Sequence, residues 1–210
     1  MARPINFYTG ENIKNDDIIR EFPDDKTCNG IVVPIYIPKN AKSIIEDGMF
    51  IMFRASDRSN RTGKLEFLGG RRDPSDATAI DTAVRESYEE SCKLINIKRE
   101  DLYKCPYKKV WSSFVFYTRF NELYDADFQE NRKILLENAE ENKYFLEMDK
   151  LVYVKISEFY NFETMRPIYP NKKKIFTVSD INGEKHGVWL ISAMAAWGFF
   201  SRNLPVNMAG

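Results

Sequence analysis

Alternating runs of apolar and polar residues predict an irregular succession of strands and helices along this chain. Helices are predicted at 77–91, 128–141 and 186–201, and strands at 31–37, 49–54, 64–68, 110–120, 151–156 and 175–178. The strand at 64–68 is expected to stop at Gly69-Gly70. This order favours an α/β layered sandwich with a mixed sheet over a doubly wound parallel sheet.

A single domain is predicted, because no internal repeat or long linker divides the 210 residues. Residues 1–28 are polar and rich in turn formers, which predicts an N-terminal extension before a domain at 29–210. The domain core is expected at about 30–160, followed by a loop with Pro167, Pro170 and the lysine run 172–174. The apolar helix at about 186–201 is expected to cover the core or to form a homodimer interface.

The charge balance narrows the class of partner. Thirty-one basic and 31 acidic residues give a net charge of zero, whereas proteins that bind long nucleic acids usually carry a basic excess. The three cysteines lack close pair spacing, which favours a reducing compartment. Neither a signal peptide nor an apolar stretch of about 20 residues is evident, so a cytoplasmic protein without a membrane partner is expected.

The segment from Gly69 to Glu90 carries the candidate chemistry. On its predicted helix, Glu86, Glu89 and Glu90 fall on one side, because positions three and four apart are neighbours, while Ile80, Ala83, Val84, Ser87 and Tyr88 can face a core. Clustered carboxylates repel one another unless a hard cation such as Mg²⁺ neutralises them. A solvated acidic helix face is the alternative. The glycine pair upstream favours the metal site, because glycine lets backbone groups approach a metal or phosphate closely.

This segment resembles the Nudix box, whose pattern is Gly, five residues, Glu, seven residues, then Arg-Glu-aliphatic-x-Glu-Glu-x-Gly. The resemblance is strong at the box and extends weakly over about residues 30–160, including the 151–156 strand. Four positions depart from the pattern. Asp76 stands in place of Glu, one extra residue separates it from Arg85, Ser87 replaces the aliphatic residue, and Cys92 replaces the final Gly. A non-glycine residue at that helix end costs on the order of 1 kcal/mol.

The resemblance implies a Nudix-type α/β/α sandwich and a hydrolase that cleaves a phosphoanhydride in a small nucleotide. Glu86, Glu89 and Glu90 would hold Mg²⁺, with Mn²⁺ as an alternative ion, and the carbonyl of Gly69 or Gly70 would be a further ligand. Arg85 would orient a glutamate through an ion pair with Asp76 or Glu86. The general base stays open among Glu86 and three later residues, with Glu147 preferred over Glu140 and Glu141.

Several other side chains have two interpretations. Arg71 and Arg72 are candidates for binding substrate phosphates, with solvated loop charge as the alternative. An aromatic group in the long strand is expected in the sheet core rather than as a base-stacking platform: Trp111, Phe114, Phe116 and Tyr117. A second aromatic group is assigned to the C-terminal helix: Trp189, Trp197, Phe199 and Phe200. The single histidine, His186, is expected to be structural or capping.

Three functional classes follow from these observations. The first is a magnesium-dependent pyrophosphohydrolase acting on ADP-ribose, a dinucleotide cofactor, a dinucleoside polyphosphate or a nucleoside triphosphate. The second is an mRNA-decapping enzyme with capped RNA as its partner, which the absence of a basic excess disfavours. The third is a catalytically inactive nucleotide-binding or interaction module, which the presence of all three helix glutamates disfavours.

Overall fold

The computed structural model of the protein describes residues 1–2, 29–161, 163–164, 166–168 and 176–200. Almost all of the predicted N-terminal extension, together with Pro170 and the lysine run, lies outside the described residues. The helices are α1 (Ile44–Asp47), α2 (Ala79–Glu90), α3 (Arg99–Tyr103), α4 (Asp125–Leu136) and α5 (Leu190–Phe199), with 3-10 turns at Lys143–Leu146 and Ile156–Phe159. None of the described helices is long and apolar enough to cross a membrane.

The strands form one large mixed sheet and one small hairpin. They are β1 (Asn29–Tyr36), β2 (Met49–Ala55), β3 (Leu65–Glu66), β4 (Leu68–Gly70), β5 (Tyr107–Val110), β6 (Ser113–Phe120), β7 (Met148–Lys155), β8 (Tyr160–Asn161), β9 (Arg166–Pro167), β10 (Phe176–Ser179) and β11 (Lys185–Val188). The large sheet follows the order β10-β11-β3-β2-β1-β6-β5, and β8 pairs with β9 separately. The β1–β6 pair is parallel and most others are antiparallel, so the predicted α/β class with a mixed sheet is confirmed.

Two apolar cores lie on the two faces of this sheet. Along β1, Ile31 and Val33 belong to one core and Val32 to the other, as the alternation of side chains in a strand requires. Helix α5 supplies residues to the first core, whereas α2 and α4 supply residues to the second. The strongest apolar segments therefore bury both faces of the central strands.

The segment 65–70 pairs with two different strands, β2 and then β1. Its first part, β3, pairs with β2 through Glu66 opposite Phe53. Its second part, β4, pairs with β1 through Gly69 opposite Ile31 and Gly70 opposite Gly30. The strand therefore ends within the glycine pair, as predicted, but it extends to Gly70 instead of Leu68 and is divided in two. Both glycines lie opposite β1 residues in the sheet, and the interruption between β3 and β4 falls at Phe67.

The strand predicted at 110–120 is a hairpin. Strands β5 and β6 pair antiparallel with Val110 opposite Ser113, and the chain reverses at Trp111, whose φ is +53°. Trp111 consequently lies half exposed at the turn, so its prediction as sheet core was wrong. Phe114, Phe116 and Tyr117 are buried, which confirms the prediction for the rest of that group.

The C-terminal helix is shorter than the predicted 186–201. Residues 185–188 form β11, which pairs antiparallel with β10, and helix α5 begins only at Leu190. His186 thus lies in a strand, and its Nε2 is 3.3 Å from Oδ2 of Asp180 in a buried contact that supports its structural interpretation. Trp189 precedes the helix as its N-terminal cap and is not part of the core, whereas Phe199 is.

Candidate functional site

Helix α2 is fixed at its start by a capping box. The Thr78 side chain accepts from the Asp81 backbone N–H, and Asp81 accepts from the Thr78 backbone N–H in return. Arg99 adds an ion pair to Asp81 from α3. Below the helix, Gly30 of β1 lets the backbones touch, since a Cβ there would lie 2.0 Å from the Ala79 carbonyl oxygen. The N-terminal half of α2 is thereby held close to the sheet.

The acidic face of α2 is turned inward. The side chain of Glu90 is 3% exposed, that of Glu86 15% and that of Glu89 20%. An ordinary solvated helix face would leave such carboxylates in water, because burial of an unpaired charge is strongly unfavourable. The solvated-face alternative therefore fails for Glu90 and Glu86.

The glycine pair is shaped around these two glutamates. The Gly69 backbone N–H donates to Oε2 of Glu90 over 2.6 Å. A Cβ on Gly70 would lie 2.3 Å from Oε1 of Glu86, so any side chain there would displace that carboxylate. The two glycines and the two glutamates, distant in sequence, make one surface.

Arg85 braces the cluster. Its Nη2 donates to Oδ2 of Asp76 over 2.9 Å, its Nη1 donates to Oε2 of Glu89 over 2.9 Å, and it lies 3.1 Å from Oε1 of Glu86. Both ion pairs implied for Arg85, with Asp76 and with Glu86, are present. Burial alone would raise the pKa of Asp76, but hydrogen bonds from Arg85, the Asp73 loop and Thr82 outweigh it and hold that pKa below its usual value. The extra residue in the loop thus leaves Asp76 in contact with Arg85.

Glu66 is a site residue that the sequence did not reveal. It is 2% exposed, and its pKa is raised to about 7 by burial, with the charge of Arg61 opposing that shift. Arg61 pairs with its Oε2 over 2.9 Å, while its Oε1 is buried without a hydrogen-bond partner. Such an orphaned acceptor is unfavourable unless a cation or donor completes it.

Arg61 connects this residue to two others. Its Nη2 lies 3.6 Å from Oε2 of Glu147 and 4.0 Å from Oε1 of Glu90. Glu147 directly precedes β7, where its carbonyl accepts from the Ser56 backbone N–H over 2.8 Å. The loop that carries Arg61 is therefore docked at the base of β7. Of the later acidic candidates, only Glu147 reaches this place, since Glu140 and Glu141 are exposed.

These residues border one cavity of about 450 Å³, a volume that suits a small ligand. Glu66, Glu86, Glu90 and Glu147 line it together with Arg61, Gly69, Gly70 and Arg71. Glu89 and Arg72 are not among the described residues that line it. Glu89 is engaged by Arg85, and the Nε of Arg72 donates to the Asp76 carbonyl oxygen over 2.7 Å. The predicted trio is thus split, and Arg72 holds the loop rather than facing the cavity.

The carboxylates strain one another electrostatically. Burial is the main cause that raises the pKa of Glu86 to about 7 and the pKa of Glu90 well above its usual value. Repulsion from the neighbouring glutamates raises both pKa values further: Glu89 and Glu147 act on Glu86, and Glu86 and Glu66 act on Glu90. A divalent cation would relieve this repulsion and complete Oε1 of Glu66. The donor set is all oxygen, which is the set preferred by Mg²⁺ or Mn²⁺.

A second group with metal-ligand chemistry lies elsewhere. Asp180, Glu184 and His186 bring one ligand atom each within 4.8 Å of one another, beside the β10–β11 hairpin. Here Oδ1 of Asp180 accepts the backbone N–H groups of Asn182 and Glu184, and Glu184 pairs with Lys150 over 3.3 Å. Closure of the hairpin turn accounts for these contacts.

Comparison with known proteins identified no relative of this chain. No known protein family matches the chain, and no curated protein matches it either.

Proposed function

We propose that the chain is a Mg²⁺-dependent Nudix hydrolase that cleaves a phosphoanhydride in a nucleoside-diphosphate-linked small molecule. The observation that carries the proposal is the convergence of Glu86, Glu90, Glu66 and Glu147 on one cavity beside Gly69-Gly70. Two further features support it: the partly buried Arg85–Asp76 brace and the helices on both faces of the mixed sheet, which fit a Nudix-type sandwich.

In this proposal Glu86 and Glu90 hold the cation, and the orphaned oxygen of Glu66 makes that residue a third ligand candidate. When bound, Mg²⁺ supplies charge neutralisation for the diphosphate and makes a water molecule more acidic. Arg85 keeps Glu86 in place through its own anchor on Asp76. Arg71, at the cavity edge, binds a substrate phosphate.

Glu147 is the proposed general base. It is the most exposed of the cavity glutamates, with 37% of its side chain accessible, so its Oε atoms can accept a proton from an attacking water. Glu147 directly precedes β7 and lines the cavity together with Glu86. Glu86 remains the alternative base. If Glu147 is the base, Glu147→Gln abolishes the pH dependence of kcat; if Glu86 is the base, Glu86→Gln does so.

The test is phosphate or nucleotide release from a panel of nucleoside-diphosphate derivatives, with Mg²⁺ or Mn²⁺ and with EDTA. Glu90→Gln is expected to lower kcat by on the order of 100- to 1000-fold, because it weakens the binding of the cation whose charge stabilises the reacting centre. Glu140→Gln, which changes an exposed glutamate outside the cavity, is the matched control and is expected to retain full activity.

Three outcomes separate the functional classes. Cleavage of small nucleotides that is lost in Glu90→Gln supports the proposal. Cleavage of capped RNA alone assigns the site to decapping. Nucleotide binding by wild-type protein without turnover of any substrate, with either metal, overturns the catalytic proposal in favour of an inactive module.

A further inference from the structure

The cavity has a second wall that the proposed metal chemistry does not use. Besides the carboxylates, its lining includes Ile31, Phe67, Trp189 and Ile191, together with Asn29 and Ser113. The cavity therefore combines anionic groups suited to a cation with its diphosphate, aromatic and aliphatic groups, and side chains that can hydrogen-bond.

Trp189 is anchored in this wall. Its backbone N–H donates to the Leu65 carbonyl oxygen over 3.0 Å, and three residues later Oγ of Ser192 accepts the Phe67 backbone N–H over 3.0 Å. The start of α5 is thus fixed to the same strand segment that carries Glu66. These bonds place the backbone of Trp189 next to the segment that carries Glu66.

The ring of Trp189 is not used to build the core. It is only partly buried and belongs to neither apolar core, although Ala193 and Phe199 of the adjoining helix do. Among the described residues, no other aromatic ring packs against it, whereas Phe50 makes edge-to-face contacts with both Phe159 and Phe199. The ammonium of Lys64 lies 4.9 Å from the ring centroid, over one face. Because Trp189 also lines the cavity, its ring is a candidate stacking surface for a ligand there.

We propose that Trp189 binds the base of the substrate by stacking, so that the enzyme acts on nucleotides and discriminates against diphosphates that carry only a sugar or polyol. This inference rests on the proposed function for its catalytic readout. Planar bases stack on indole rings whatever their sequence of donors and acceptors, and each stacked base commonly contributes about 10- to 100-fold in affinity. Asn29 and Ser113 then contact the polar edge of the base or the sugar.

Binding without catalysis is the first test. Titration of AMP, GMP, CMP and UMP into the full-length protein in EDTA is expected to quench tryptophan fluorescence, whereas ribose 5-phosphate is not. The quench should persist in Trp111→Phe, which changes the exposed turn tryptophan, and disappear in Trp189→Phe. Absence of a quench for all four nucleotides, or its persistence in Trp189→Phe, overturns the inference.

Turnover is the second test, on a nucleoside-diphosphate substrate and on 5-phosphoribosyl 1-diphosphate, which has no base. Trp189→Ala is expected to raise KM for the nucleotide about 10-fold or more and to leave kcat/KM for the base-free compound within twofold. Trp189→Phe keeps an aromatic face and should recover most of the nucleotide KM. Equal losses on both compounds overturn the inference. A wild-type protein that turns over neither compound but shows the Trp189 quench overturns the proposed function and leaves base binding intact.

Discussion

Two residues just after α2 adopt backbone angles that usually belong to glycine. Cys92 has φ +52° and Lys93 has φ +63°. Cys92 stands where the Nudix pattern has its final glycine. Its backbone is left-handed, as the glycine of that pattern predicts. Its thiol is fully buried and donates to the Phe145 carbonyl oxygen over 3.0 Å, so the side chain gains a contact that offsets part of the backbone strain.

Lys93 offers a clean measure of that strain. Replacement of Lys93 by Gly should raise the free energy of unfolding by about 0.5–1 kcal/mol relative to Lys93→Ala, because only glycine is relaxed at this φ. Both variants lose the contact between the lysine ammonium and the Phe145 ring, so their difference isolates the backbone. Urea unfolding measures it. Equal stability of the two variants would contradict a strained position.

Arg85 is expected to act through position rather than charge. Arg85→Lys keeps the positive charge but loses the fork that engages Asp76, Glu86 and Glu89 together, so kcat should fall about 10- to 100-fold. Arg99→Lys is the control, because it alters an ion pair at the opposite end of α2. It should change stability without a specific loss of kcat. If the two variants lose activity equally, the brace has no particular role.

At the scale of elements, the capping box at Thr78 fixes the start of α2, and the helix then places Glu86 and Glu90 at its other end. Thr78→Ala should lower the free energy of unfolding by about 1 kcal/mol, since it removes the side-chain half of the capping box. Ser75→Ala, in the exposed loop just before, should change it by less than about 0.5 kcal/mol. Thermal or urea unfolding checks both, and a Thr78→Ala protein as stable as the wild type would show that tertiary packing alone fixes the helix.

The elements that the sequence predicted well are those with a long apolar period. Strands β1, β2 and β7 and helix α2 were placed within a few residues, because each buries a continuous apolar side. The β5–β6 hairpin was missed because its turn at Trp111 contains no glycine, proline or asparagine signal. Strand β11 was merged with α5, since its buried positions, His186 and Val188, run directly into the apolar helix.

The candidate site was predictable only where it is local in sequence. Glu86, Glu90 and the glycine pair form one motif, and Arg85 lies within it. Glu66 and Arg61 carry no periodic signal, and Trp189 lies about 100 residues from the box, so only tertiary packing brings them to the cavity. Glu89 shows the reverse case: it belongs to the motif but pairs with Arg85 instead of facing the cavity.

At the scale of the whole molecule, the buried glutamates should make the metal-free protein less stable at neutral than at mildly acidic pH. Burial raises the pKa of Glu66 and of Glu86 to about 7, so the folded state retains protons that the unfolded chain releases above pH about 4.5. The free energy of unfolding should therefore fall as pH rises from about 4.5 to about 7, by about 1–3 kcal/mol for each group, and then level off.

Denaturant unfolding in EDTA across this pH range measures the effect. Glu86→Gln should remove its share of the slope and make the metal-free protein more stable than wild type at pH 8. Saturating Mg²⁺ should flatten the wild-type slope, because a bound cation favours the ionised carboxylates. Parallel wild-type and Glu86→Gln profiles in EDTA would contradict this account.

The divided strand at 65–70 bears on how the protein matures. Glu66 belongs to the half that pairs with β2, and Gly69 and Gly70 belong to the half that pairs with β1. A folding intermediate that assembles either neighbour alone would hold only part of the proposed metal site and would have little affinity for a divalent ion. Tight Mg²⁺ binding should therefore appear during refolding only when both β3 and β4 have paired with their neighbours. Added Mg²⁺ should slow unfolding more than it accelerates the early steps of folding.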